Sequence, residues 1–178
     1  MPSTIGQVEF GRTGRTISAI GLGTATFGRE IDEDTSWRMM DYAVEHGITF
    51  FDTAEAYGGG IPSPGETIDE NKKAERIIGD WMTQRGCRRD ITICTKISGG
   101  RGGAKAIDEA LKRSLDLLNT DRVEIYKMHS PDPNTPITET LGAMAEQVRA
   151  GRVEIIGCSN YSTMQMQEAL DASKKHNY

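Results

Sequence analysis

Five short apolar runs, each followed by an amphipathic stretch of helical period, constrain this chain more than any other feature. The runs are AIGLGTA, ITFFDT, ITICTK, VEIYKM and VEIIGCS. The first helix is expected from about Asp34 to Glu45, with Trp37, Met40 and Val44 on one face, and the second has Ala74, Ile77, Ile78 and Trp81 on its buried side. A third runs from Lys105 to Leu118 and carries Ile107, Leu111, Leu115 and Leu118; a fourth runs from Ile137 to Ala150, and a fifth starts at Thr163. Gly47 and Gly86 stand where the first two should stop. Near-continuous apolar strands separated by helical crossovers, at a spacing of roughly 30 residues, mean a parallel sheet covered on both faces.

Such a repeat builds either a doubly wound sheet or a (β/α)8 barrel, and two features favour the barrel. GLGTATFG fits the glycine fingerprint GxGxxG poorly, and several residues separate it from the first helix. Polar residues also collect at the carboxyl ends of successive strands, at Asp52, Lys96, His129, Ser159 and Asn160, the ends that converge on the mouth of a barrel. Ahead of the repeat, Val8 to Phe10 and Thr16 to Ile17 flank a turn with Gly11 and Gly14, which reads as a β-hairpin. Eight units need about 250 residues, whereas this chain has 178. The expectation is therefore one barrel domain over residues 1–178, incomplete at its C-terminal side and holding the first five βα units. An open five-stranded sheet exposes an unpaired apolar edge. Self-association, a half-barrel completed by a copy of itself, is the other arrangement that would cover it.

Charge and cysteine content narrow the function classes. The net charge is −5 with both signs interspersed, which argues against a nucleic-acid partner or an anionic membrane surface. The cluster Arg85, Arg88 and Arg89 reads as a solvated helix end and turn ahead of a phosphate site. Cys87, Cys94 and Cys158 are an odd number without CxxC spacing, which fits a reducing cytoplasm and no structural metal. The opening MPSTIGQVEF lacks the order of a signal peptide, and no apolar run is long enough to span a bilayer.

The strand ends suggest chemistry. Asp52 closes ITFFD and Tyr57 follows it in the loop; alone, the pair is equally well a turn carboxylate and a rim aromatic. Lys96 adds more, because an ammonium emerging from a buried strand needs a partner, and Asp52 is the candidate. A lysine there has a plain reading too, snorkelling to the rim. Paired with Asp52 and aimed at the Tyr57 hydroxyl, Lys96 would make the phenol a better proton donor. His129, in YKMHSPDP, shares this strand-end register and can hydrogen-bond a substrate carbonyl, whereas His46 and His176 sit on expected helix ends without such a setting. Together the four residues fit reduction of a small-molecule carbonyl by a nicotinamide hydride, with no metal required. Strand-end lysines also serve Schiff-base lyases, so Lys96 as a nucleophile is the rival chemistry.

The ordered set GLGTATFG, FFDTAEAYGGG, TK at the third strand, HSPD at the fourth and GCSNYS at the fifth resembles the aldo-keto reductase superfamily over essentially the whole chain. The resemblance implies a (β/α)8 barrel capped by an N-terminal hairpin, NADPH as hydride donor, and a catalytic tetrad on Asp52, Tyr57, Lys96 and His129. It implies that Gly23 and Thr24, beside Asp52, approach the nicotinamide ribose and that Ser159 and Asn160 bind the carboxamide. IPSPGETIDENK is similar to the insert of longer-loop, bacterial-type members related to the potassium-channel β subunits, which admits a non-catalytic NADPH-binding subunit as a further alternative. The family's nicotinamide-stacking aromatic, carboxamide glutamine and basic phosphate-gripping loop follow the fifth helix and are not within this sequence.

Overall fold

The computed structural model describes residues 5–59 and 73–178. The segment IPSPGETIDENK, at 61–72, lies outside the described residues.

Strands β1 (Gln7–Glu9) and β2 (Thr16–Ser18) pair antiparallel with Val8 opposite Ile17; β1 lies one residue earlier than its apolar run suggests and β2 runs one residue further. Then come β3 (Gly21–Gly23), β4 (Phe50–Asp52), β5 (Thr92–Ile97), β6 (Val123–Met128) and β7 (Val153–Cys158), joined as one parallel sheet in the order β3-β4-β5-β6-β7. Spatial order repeats chain order. A doubly wound sheet reverses direction at a switch point, whereas a barrel wall adds each strand beside the last. The five units are therefore an arc of a (β/α)8 barrel.

Helices α1 (Glu33–Glu45), α2 (Ala74–Arg85), α3 (Ala104–Leu117), α4 (Ile137–Arg149) and α5 (Thr163–His176) are the crossovers, within about a residue of where the apolar period puts them. Their ends follow local chemistry. The Asp32 carboxylate accepts the Thr35 N–H at 2.8 Å to start α1, and Ser162 with Gln165 forms a reciprocal capping box on α5. Helix α2 stops because Gly86 takes φ +64°, a left-handed conformation open to glycine at little cost.

The core lies between sheet and helices. Phe51, Ile93, Ile97 and Tyr126 meet Ile77, Ile78, Trp81, Ile107 and Leu111, all essentially inaccessible to solvent. Each such aliphatic or aromatic side chain stabilises the fold by about 1.5–3 kcal/mol through burial. Helices α2 and α3 approach so closely at Gly79 that a Cβ there would lie 2.3 Å from the Leu117 carbonyl oxygen.

The hairpin crosses the amino ends of the strands. Ser18 Oγ accepts the N–H groups of Thr49 and Phe50, each at 3.1 Å, at the start of β4. Arg15 reaches the other side, donating to Glu154 at the start of β7. This end of the arc is closed, which leaves the carboxyl ends of the strands for a ligand. Among the described residues no helix is long and apolar enough to cross a membrane.

Candidate active site

The register places the site. Asp52 sits beside Gly23 and Cys94, while Lys96 sits beside Lys127, which in turn faces Gly157 across β7. Lys96 precedes the last residue of β5 and His129 follows the last residue of β6, so both emerge at the carboxyl ends as the sequence suggests, each displaced by one position.

Asp52, Tyr57, Lys96 and His129 meet there. The Lys96 ammonium, on a side chain only 5% exposed, donates to Asp52 Oδ1 at 2.5 Å, to the Thr53 carbonyl at 2.7 Å and to the Tyr57 hydroxyl at 3.4 Å. It also lies 4.8 Å from the centre of the Tyr57 ring. The Tyr57 and His129 rings stand edge to face, 5.6 Å apart. Burying an ion pair costs desolvation that mutual attraction repays only with good geometry and further hydrogen bonds. Three acceptors around one ammonium supply that geometry, and so much polarity in a barrel wall points to chemistry ahead of stability.

The loop after β4 holds Tyr57 by its backbone. Glu55 N–H donates to the Lys96 carbonyl at 3.0 Å, Lys73 donates to the Glu55 carbonyl at 3.0 Å, and the Ala74 N–H at the start of α2 donates to the Tyr57 carbonyl at 3.2 Å. The Glu55 carboxylate accepts from Ser98 N–H and Arg101. Burial opposes its ionisation, but those donors prevail and hold its pKa below the usual carboxylate value.

His129 is half-buried, and its pKa lies below the usual imidazole value because burial, followed by the Lys96 ammonium, disfavours its cation, with Asp52 opposing less strongly. A neutral imidazole at pH 7 keeps one N–H to donate to a carbonyl oxygen. Its backbone carbonyl accepts from Asn160 Nδ2 at 2.7 Å, which also donates to Ser159 Oγ at 3.2 Å. Asn160 makes this turn at φ +58°, a conformation asparagine tolerates better than most residues.

The remaining cofactor candidates differ in how they face the mouth. Gly23 is exposed, and a Cβ there would meet nothing within 4 Å. Thr24 is fully buried, with its hydroxyl donating to the Asp52 carbonyl at 3.1 Å, so its side chain braces Asp52. Ser159 and Asn160 present a hydroxyl and an amide oxygen side by side, a donor and an acceptor that match a carboxamide.

Sequence reasoning passed over two polar residues, Lys127 and Glu75. Lys127, in the middle of an apolar run, reaches Asp52 Oδ2 at 3.6 Å. Glu75 is fully buried and accepts from Thr95 Oγ1 at 2.6 Å, next to Lys96 in the chain; burial pushes its pKa up to about 7. Arg88 is part-buried and engages Glu124, Thr120 and two backbone carbonyls, while Arg85 pairs with Asp41 at 2.8 Å. Arg88 is thus structural, while Arg85 and Arg89 stay exposed at a helix end and turn, as the sequence suggests. A charge inside an apolar run is the signal that finds Lys127.

The model of the aldo/keto reductase family matches residues 19–178. This chain belongs to the aldo/keto reductase family. The aldo/keto reductase chain is 39% identical to the uncharacterized oxidoreductase YrpG of Bacillus subtilis (strain 168) over 181 aligned residues, covering 94% of itself and 53% of that protein. It superposes on the crystal structure of the thermostable aldo-keto reductase Tm1743, in complex with the inhibitor epalrestat, with a TM-score of 0.81 and 33% identity, covering 94% of this chain and 58% of that one. An aldo-keto reductase from Klebsiella pneumoniae in complex with NADPH gives a TM-score of 0.76 at 30% identity, covering 93% of this chain and 53% of that one. The reductase chain thus spans little more than half the length of these relatives.

Proposed function

We propose that the protein carrying this chain reduces an aldehyde or ketone to an alcohol with NADPH, and that Asp52, Tyr57, Lys96 and His129 form the catalytic site. The observation that carries this reading is the Lys96 ammonium held between the Asp52 carboxylate and the Tyr57 hydroxyl at one barrel mouth. NADPH, when bound, supplies a hydride to the carbonyl carbon. The Tyr57 hydroxyl gives its proton to the carbonyl oxygen, so the products are an alcohol and a phenolate that solvent reprotonates. Lys96 stabilises that phenolate, Asp52 holds Lys96 in place, and neutral His129 donates a hydrogen bond that orients the carbonyl.

The donor set fits the cofactor. Ser159 and Asn160 would hold the carboxamide, and Gly23, with open space in place of a side chain, would let the nicotinamide ribose pass close to Asp52 and Thr24. An aldo-keto reductase of similar fold binds NADPH. The three cysteines are all free, which suits the cytoplasm.

The Schiff-base alternative is disfavoured because a nucleophilic lysine must be neutral and unencumbered, and three acceptors surround the Lys96 nitrogen. Tyr57→Phe separates the remaining readings. It should abolish carbonyl reduction, a loss of at least about a hundredfold, and leave NADPH binding intact by fluorescence titration. Unchanged turnover in the variant would overturn the assignment, and tight NADPH binding without turnover by the unsubstituted protein would favour a cofactor-sensing subunit.

A further inference from the structure

A carboxylate has two oxygens, and Lys96 accounts for only one of those on Asp52. Lys127 lies within 3.6 Å of the other. We propose that Lys127 is a positioning residue of the reduction site, gripping the second oxygen of Asp52 so that Lys96 stays aimed at Tyr57 and the cluster keeps a net positive charge. The proposal rests on the reductase reading and names a residue that reading does not need.

Strand geometry brings the two lysines together. Lys96 and Lys127 are register partners on adjacent parallel strands, so both side chains leave the same face of the sheet. The Lys127 stem then runs over Gly157, its partner on β7, where an added Cβ would touch Lys127 Cγ at 3.4 Å. Glycine on one side and Asp52 on the other leave the ammonium a defined path inward.

The groups facing Lys127 are Asp52 from β4, Cys94 and Lys96 from β5, and Cys158 from β7. Burial pushes the Cys94 thiol up to about 11 and raises Cys158, so both stay protonated at neutral pH. Asp52 therefore carries the negative charge of this group. Burial works against the Lys127 cation, but in the alkaline range where it titrates Cys94, itself losing its proton near 11, and the Asp52 carboxylate outweigh burial and hold its pKa above the ordinary lysine value.

Two cations on one carboxylate differ chemically from a simple pair. With Lys96 alone, Asp52 would cancel the charge directed at Tyr57. With Lys127 present, the three groups sum to one positive charge, which favours the negative charge that develops on the phenol and carbonyl oxygens as the proton moves. The carboxylate plane is also fixed at both oxygens, which removes a rotation that would carry Lys96 off the phenol.

The test compares Lys127→Met, isosteric but uncharged, with Lys127→Arg in steady-state carbonyl reduction across pH. Lys127→Met should lower kcat on the order of tenfold with KM for NADPH within about twofold. It should also displace the alkaline fall of the kcat profile, which a purely structural role would not move, and Lys127→Arg should restore most of the rate. Parent-like rates and profile in Lys127→Met overturn the proposal and leave the reductase reading standing. If the parent reduces no carbonyl, the reductase reading fails, and a double-mutant cycle with Asp52→Asn in urea unfolding decides the contact separately. Non-additive shifts in the unfolding midpoint support the grip on Asp52, and simple additivity overturns it.

Discussion

Glu75→Gln should remove a loss of stability that the parent suffers as pH rises through neutrality. Glu75 lies in the first turn of α2 and is completely enclosed, with Thr95 Oγ1 donating to one carboxyl oxygen and the Ser114 hydroxyl nearby. Burial is the main cause of its displacement from an ordinary 4.5 to about 7, and the hydroxyls of Thr95 and Ser114 offset only part of it. The folded state therefore holds this proton more tightly than the unfolded chain does. The associated stability is present in full below about pH 4.5 and is lost as pH rises through about 7. The gap, at ~1.36 kcal/mol for each pH unit, comes to about 3 kcal/mol. Glutamine keeps an oxygen for Thr95 and has no proton to lose, so its stability relative to the parent should rise by about 3 kcal/mol between pH 4 and pH 8. Urea unfolding followed by the fluorescence of buried Trp81 and by far-ultraviolet circular dichroism measures this directly. Parent and variant curves that run parallel across the range would show that Glu75 is ionised in the native protein and would refute the reasoning.

Other substitutions test separate contacts. Gly79→Ala should destabilise by about 1–3 kcal/mol in urea unfolding, because the new methyl meets the Leu117 carbonyl. Arg88→Met should cost about 3 kcal/mol, since it leaves the nearly buried Glu124 carboxylate without its cation; an unfolding midpoint equal to the parent's would contradict that pairing. The His129 ring should titrate below the ordinary 6.5 in an NMR pH series. Because its folded value is depressed, the protein should lose stability as pH falls below that range.

Much of this architecture is legible in the residues themselves, for identifiable reasons. Apolar period and glycine stops locate α1 and α2 because burial and backbone freedom are local properties. Asp52 and His129 stand out because polar groups at the ends of apolar strands converge in a barrel. Tyr57 is different. It lies on a loop, and its place beside Lys96 depends on backbone hydrogen bonds from its neighbours in space, the Ala74 amide above all, which no local pattern encodes. Lys127 and Glu75 hide for another reason. Each occupies an apolar face by spacing, Lys127 two residues before His129 and Glu75 three before Ile78, and a pattern that scores apolar positions passes over the charge among them.

The hairpin beneath the strands has a consequence for the opposite end. Strand β4 is only three residues long: Ser18 binds the amide of Phe50 at its lower end, and Asp52 closes its upper end. At about 3.3 Å of rise per residue, roughly 7 Å separates the two. So short a rod has no slack, and a displaced plug would tilt the carboxylate that anchors both lysines. Drift in the hairpin, remote from any ligand in sequence, should therefore surface as altered turnover.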